Sequence, residues 1–308
     1  MHKQKKGVGL VAKLFIAALV VIAVSVLAVY LFGGRYLKDD DGNKFIGFVH
    51  ELGPKSGRIY YVGGLTADIT ASGATVIFRD GTEISDCVTL EFANGEKYEG
   101  QLSGLLMDGK GRYTWTNGDV YEGEMENDAH TGEGTVYWED GLYYRGDMKD
   151  GKPNGEGVFL WADVRGEFPS YDAEELLETA RNDVAALPEG TWYVGEFANG
   201  LKNGYGIYRY SSGLIFAGDF TNDLKNGNGV ELYGDGEYYE GEFSADVRSG
   251  NGKYVWSDGR YYEGHFADGT LNGTGKYVWP DGTFFEGEFA NGERVIENKT
   301  ENNEGTDN

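Results

Sequence analysis

The 308-residue chain carries 50 Gly, 22 Tyr and 16 Phe against 5 Pro and one Cys, a composition that excludes a collagen-like or globally disordered chain and favours short strands joined by tight turns. Its formal net charge is −24, and the first 38 residues hold six of the 27 Lys and Arg and none of the 51 Asp and Glu, leaving −30 on the remainder. Such an acidic body excludes a nucleic-acid partner, whose phosphates need Lys and Arg, and disfavours docking onto anionic lipid.

Residues 1–13 form a short basic N-terminus. Residues 14–32, LFIAALVVIAVSVLAVYLF, carry no charge and have the length of one bilayer-spanning helix. Basic residues precede the segment and Asp39, Asp40 and Asp41 follow it. The positive-inside rule then places the N-terminus in the cytoplasm and the rest of the chain outside it, in a single-pass cell-membrane topology. A cleaved signal peptide would have a shorter apolar core and a small-x-small cleavage site, so an uncleaved anchor is the expectation.

Residues 36–97 read as irregular strands and turns that cap the regular part of the chain. The lone Cys87, in the run Cys87–Val88–Thr89–Leu90, excludes a disulfide and a redox pair and reads as a small buried apolar residue.

From Tyr98 the chain repeats. Tyr98, Tyr121, Tyr144, Tyr193, Phe216, Tyr239, Tyr262 and Phe285 lie 23 residues apart, save one step of 49. Counting from each as offset 0, Gly stands at +2, a large apolar residue at +4, Gly at +11 and +13, and Trp or Tyr at +17. Asn-Gly, Asp-Gly or Ser-Gly follows at +19 and +20 in six of the repeats. Offsets 0, +2 and +4 share one face of a strand, where glycine leaves room for an aromatic ring. The Asx-Gly pairs read as tight hairpin turns needing positive φ. Each repeat is then a two-stranded hairpin that must stack on its neighbours to bury its rings.

The pattern YEGEF…NGxGxYxWxDG resembles the MORN repeat, the "membrane occupation and recognition nexus". The likeness covers residues 98–292, about two-thirds of the chain. It implies an all-β fold, an elongated single-sheet solenoid of antiparallel hairpins, to which this chain's own residue patterns add one inserted α-helix and an N-terminal transmembrane helix. It also implies a scaffold, a membrane-associated protein or a module attached to an enzyme, without naming a partner.

The repeats divide into residues 98–168 and 191–296. Between them, residues 169–190 carry a helical pattern, AEELLETARNDVAAL, with Ser170 or Asp172 as N-cap and Pro188 as stop. Leu176, Leu177, Ala180, Val184 and Leu187 share one helical face, which reads as a helix laid over the sheet in place of a lost hairpin. A docking helix or a hinge is the other reading. Residues 297–308 are a polar tail.

No catalytic signature or metal spacing is present, and no cofactor is called for. The carboxylates at +3, among them Glu124, Asp147, Glu196, Asp219, Glu242 and Glu288, recur with the period and so serve the repeat, although a row of them is also a candidate Ca²⁺ surface. The candidate binding-face aromatics are Tyr121, Tyr144, Tyr193, Phe216, Tyr239, Tyr262 and Phe285. The expected function is a non-enzymatic, membrane-held scaffold with a protein partner. A surface module for glycan or Ca²⁺, or a lipid-associated repeat protein, is the alternative.

Overall fold

The structure, a computed structural model, describes residues 34–50, 53–162, 164 and 172–296. The apolar segment 14–32 and the tail 297–308 lie outside the described residues. Among the described residues no helix is long and apolar enough to cross a membrane. The chain forms two compact units, meeting in sequence at Glu139 and Asp140. Each is built on an open antiparallel sheet whose strands pair in sequence order.

The first unit runs through β1 (Gly34–Lys38), β2 (Lys44–His50), β3 (Gly53–Tyr60), β4 (Thr66–Ile77), β5 (Glu83–Phe92), β6 (Lys97–Ser103), β7 (Leu106–Thr114), β8 (Val120–Glu126) and β9 (Ala129–Tyr137). β4 and β5 are the long pair, and their register shifts three times between Ile69 and Val76. The hairpin end buries Val76, Phe78, Ile84 and Cys87, with the Cys87 thiol against the Ile84 carbonyl. Cys87 is thus the buried apolar residue expected, and burial pushes its thiol up from the ordinary value.

The second unit contains β10 (Tyr143–Lys149), β11 (Lys152–Leu160), the helix α1 (Ala173–Asn182), β12 (Trp192–Ala198), β13 (Leu201–Arg209), β14 (Ile215–Thr221), β15 (Leu224–Gly234), β16 (Glu237–Ser244), β17 (Val247–Val255), β18 (Tyr261–Ala267), β19 (Thr270–Val278), β20 (Phe284–Ala290) and β21 (Glu293–Arg294).

One repeat shows how the sequence makes the sheet. In β12, Tyr193 lays its ring across Gly195 of its own strand and Gly206 of β13. A Cβ on Gly206 would lie 2.4 Å from the Tyr193 hydroxyl oxygen. That hydroxyl donates to the Glu196 carbonyl at 2.9 Å, so the ring is pinned at its far end. Phe197 then meets Tyr193 edge-on at 5.1 Å, and Phe220 of the next repeat meets it at 5.3 Å. The same edge contacts recur from Tyr144 to Phe289, one aromatic ladder along the second unit.

The turns differ from the sequence expectation. The two-residue turns with positive φ at both centres sit at +6 and +7, as at Asn127–Asp128, Asn199–Gly200, Asn222–Asp223 and Asp268–Gly269. At the Asn117–Gly118 type of site only the glycine is left-handed, with φ +94. Gly118 donates to the Trp115 carbonyl and Trp115 to the Asp119 carbonyl, a three-residue loop closed by a glycine bulge. Asp235–Gly236 alone keeps the two-residue form, with φ +50 and +79.

The step of 49 residues loses no hairpin. β11 pairs directly with β12, Leu160 opposite Trp192, and Trp161 donates to the Thr191 carbonyl as Trp115 does to Asp119. Residues 162–190 therefore enlarge one turn. Asp172 caps α1 by accepting from Glu175 N–H. The α-helix ends at Asn182, short of the expected Leu187, because Asp183 leaves helical geometry (φ −154) and restarts a 3-10 turn by accepting from Ala185 N–H. Leu176, Ala180 and Leu187 cover Val158, Trp192, Val194, Ile207, Ile215 and Ala217 on the sheet face opposite the ladder. At the equivalent places later in the sheet stand the charged residues Glu240, Lys253 and Glu263, and Arg181 of α1 reaches the first of them at 3.6 Å.

Candidate binding surface

The ladder aromatics are interior. Tyr121, Tyr144, Tyr193, Phe216, Tyr239 and Tyr262 are all 0 % exposed, and Phe285, next to the last turn, is half-buried. The six rings from Tyr121 to Tyr262 have no accessible face, and a second set of aromatics stands on the same side of the sheet.

That set stands at offsets +15 and +17. In the second unit Phe159, Trp161, Tyr208 and Tyr210 follow one another at centroid distances of 4.6, 5.6 and 4.2 Å. Tyr254, Trp256, Tyr277 and Trp279 continue the row at 4.6, 5.4 and 4.9 Å, and all four are half-buried. Cations line it. Lys202 lies 5.3 Å from the Tyr208 ring, Arg248 4.8 Å from Tyr254, Arg260 5.0 Å from Trp256 and Arg294 5.2 Å from Trp279. Lys202, Lys225, Arg248 and Arg294 all occupy offset +9. A recurring cation in an acidic chain is the sequence signal for this surface, and the stricter repetition of the ladder tyrosines masks it.

Glu231 interrupts the row where its neighbours carry Tyr or Phe. It is 4 % exposed, accepts from Lys225 Nζ at 2.5 Å and from Arg248 Nε at 3.0 Å, and also bonds the Tyr233 hydroxyl. Burial alone would raise its carboxyl, but the Lys225 and Tyr233 hydrogen bonds and the two cations outweigh that and hold it below the ordinary value. In the first unit the +9 residues are Met107 and His130, and the His130 ring lies 4.2 Å from Tyr121 and edge-on to Trp115 at 5.3 Å. Burial pushes its imidazole down to about 4.

Four carboxylates of the acidic row at +3 are occupied with backbone, and Glu288 accepts from the Thr274 hydroxyl at 2.8 Å. Asp147, Glu196, Asp219 and Glu242 each accept the amide at +12 of their own repeat, at 3.0, 2.9, 2.9 and 2.8 Å. Each folds over the positive-φ glycine at +11, where the strand register shifts. Among the described residues no group of three or more His, Cys, Asp and Glu is gathered as a metal site.

These features meet in one class, an open sheet of glycine-spaced hairpins with rings laid on glycine. The MORN repeat model matches seven segments, 98–120, 121–143, 144–163, 193–215, 216–238, 239–259 and 262–284, together just over half of the 308 residues. The chain belongs to the MORN-repeat family. No curated protein matches it in sequence. Among solved structures it is similar to the TCP10 domain of Danio rerio CPAP, at 9% identity and TM-score 0.33, over 83% of this chain and 100% of that one. It is also similar to the SAS-4 TCP domain of Drosophila melanogaster, solved with a proline-rich motif of Ana2, at 12% identity and TM-score 0.29, over 70% and 92%. Likenesses this slight place no function on the chain.

Proposed function

We propose that this chain is a non-catalytic binding scaffold, held at the membrane by residues 14–32 with its repeats outside the cytoplasm, and that a protein partner lies along the cation-lined aromatic row of the second unit. The observation that carries the reading is the row itself. Trp256, Tyr277 and Trp279 are large rings left half-accessible beside Arg260 and Arg294, the residue types that dominate binding energy in protein interfaces. The acidic remainder of the surface keeps nucleic acid and anionic lipid away.

A photo-crosslinking residue placed at Trp256 in the full chain, in intact cells, tests it. The expected result is a discrete protein adduct that is absent when the probe sits at Tyr238, on the opposite face. An impermeant maleimide on a tail cysteine, in a Cys87→Ser background, checks the topology by labelling intact cells. Aromatic rows also stack sugars, so a glycan reading stands second. Glycan-array binding lost in Trp256→Ala, with no protein adduct, would favour it.

A further inference from the structure

The last repeat has a first strand whose second strand the sequence cannot supply. β20, FFEGEFA, pairs with β19 along one edge. On its other edge β21 pairs only Arg294 with Phe289 and Glu293 with Ala290, and the Val295 amide donates to the Glu288 carbonyl at 2.8 Å. Among the described residues Phe284–Gly287 have no ladder partner on that edge. At +13 and +17 of this repeat stand Asn298 and Asn302, where the seven complete repeats have glycine and then Trp or Tyr. Asn298 is a misfit at a glycine place, because a Cβ on Gly229, the +13 residue beneath Phe216, would come 2.4 Å from that ring.

The side chains at this edge are those of a half-built repeat. Phe284 is 59% exposed, and Phe285 is half-buried where six earlier ladder rings are fully buried. Arg294, at +9, lies 5.4 Å from the Phe285 ring and 5.2 Å from Trp279. The +9 cations Lys202 and Arg248 also reach the +15 ring of their own repeat, Tyr208 at 5.3 Å and Tyr254 at 4.8 Å. At +15 of the last repeat the sequence has Thr300, so Arg294 has no such ring to meet. A cleft of about 420 Å³, bounded by Tyr277, Trp279, Phe289 and Arg294, lies at the same place.

We infer that the outer edge of β20 accepts an extended segment of a different polypeptide, of the type Gly-Lys-Tyr-Val-Trp, which adds as the missing second strand. The preceding repeat sets the register, for there Gly264, Glu263, Tyr262 and Tyr261 pair with Gly275, Lys276, Tyr277 and Val278. The incoming glycine then faces Gly287, the lysine Glu286, the tyrosine Phe285 and the valine Phe284. Main-chain hydrogen bonds to the open edge give affinity, and the lysine meets a carboxylate across the pair. The glycine gives selectivity, since any larger residue there drives a Cβ into the Phe285 ring, which turns away ordinary strands. The incoming tyrosine supplies Arg294 with its +15 ring. A folded second copy is not the donor. GKYVW occurs in this chain at Gly252–Trp256 and Gly275–Trp279, but Gly252–Val255 and Gly275–Val278 are already paired on both edges.

The test uses the full chain in detergent and a fluorescent synthetic peptide, GTGKYVWP, with the sequence of residues 273–280. Anisotropy should show saturable one-to-one binding. The same peptide with Gly275→Ala should bind about tenfold more weakly or worse, a comparison that leaves the protein itself unaltered. The register is read by disulfide formation. Phe284→Cys, in a Cys87→Ser background, should join a peptide carrying Val278→Cys and not one carrying Tyr277→Cys, whose thiol would lie on the other face of the sheet. This disulfide and the cross-link at Trp256 are separate readouts, so the strand edge and the partner row can each fail alone. No saturable binding, equal binding of the alanine peptide, or equal reaction of both cysteine peptides would each overturn the inference.

Discussion

Lys202 and Asp223 are joined three ways: the Lys202 amide donates to the Asp223 carboxylate at 2.9 Å, the Asp223 amide returns a bond to the Lys202 carbonyl at 2.9 Å, and the ammonium meets the same carboxylate at 3.0 Å. One residue belongs to the hairpin of one repeat and the other to the next, and Lys225 with Asp246 repeats the two backbone links. Asp223→Ala removes the acceptor and leaves at φ +71 a residue without the side-chain oxygen that supports that conformation, so it should cost about 1–3 kcal/mol. Asp223→Asn keeps an acceptor and tolerates that conformation, and should cost less than half as much. Urea denaturation of the pair checks the order; equal losses would mean that a neutral oxygen cannot stand in for the carboxylate and that the charge carries the link.

Glycine beneath a ring is a packing requirement separate from turn geometry. Gly206→Ala should destabilise by about 2–3 kcal/mol or more, because the new methyl would sit 2.4 Å from the Tyr193 hydroxyl oxygen. Gly213→Ala meets no atom within 4 Å and bears only the strain of φ +89, about 1 kcal/mol. Near-UV circular dichroism should register the displaced tyrosine in the first variant alone.

His130 carries a pH dependence with a definite sign. Its folded imidazole titrates near 4 against 6.5 unfolded, so the unfolded chain takes up the proton first. His130 therefore subtracts nothing above pH 6.5 and an increasing amount as pH falls toward 4, about 2–3 kcal/mol at pH 4.5. Met107 and Leu271 occupy the same offset in other repeats, so His130→Leu should fold and lose that component. Denaturant midpoints at pH 7 and 4.5 measure it, and an unchanged pH slope in the variant would refute the assignment.

Glu231 neutralises two buried or half-buried cations. Glu231→Gln should cost about 3 kcal/mol or more, since Lys225 is only 8% exposed and would keep an uncompensated charge. Lys225→Leu with Glu231→Tyr installs the pair that Leu271 and Tyr277 form in the repeat starting at Tyr262, and should recover most of the loss. Thermal unfolding of the single and double variants separates the outcomes.

Replacing residues 162–190 with Pro-Asp-Gly should leave β11 and β12 paired, because Trp161 and Thr191 already close that turn. The sheet forms but bares Trp192, Ile207 and Ile215, and the product should self-associate. Adding Val194→Glu and Ile207→Lys, the residue types of the uncovered repeats, should return it to solution as judged by light scattering.

The period carried most of this fold, since a ring at Tyr193, glycines at Gly195 and Gly206 and an apolar residue at Phe197 leave few ways to build a strand pair. The kind of turn was not legible, because Asn199–Gly200 and Asn117–Gly118 are the same dipeptide and differ only once folded, in the φ of the asparagine and the hydrogen bonds around it. The helix was legible and its role was not, since apolar residues at Val194, Ile207 and Ala217 announce a covered face only once strand neighbours are known. The accessible surface was the least legible. Tyr239 and Tyr254 are both sheet tyrosines, and only the stacking that pins Tyr239 on Gly252 separates buried from half-buried.

The tyrosine laid on its own glycines has a consequence for how the chain acquires its structure. Tyr193 finds Gly195 and Gly206 within its own repeat, and its most distant aromatic partner in that core, Phe220, belongs to the next. Ordering a repeat thus closes only short loops and leans on a neighbour already in place. Within each unit, structure should spread outward from any formed hairpin as a moving front, and fray back from the ends in the same increments.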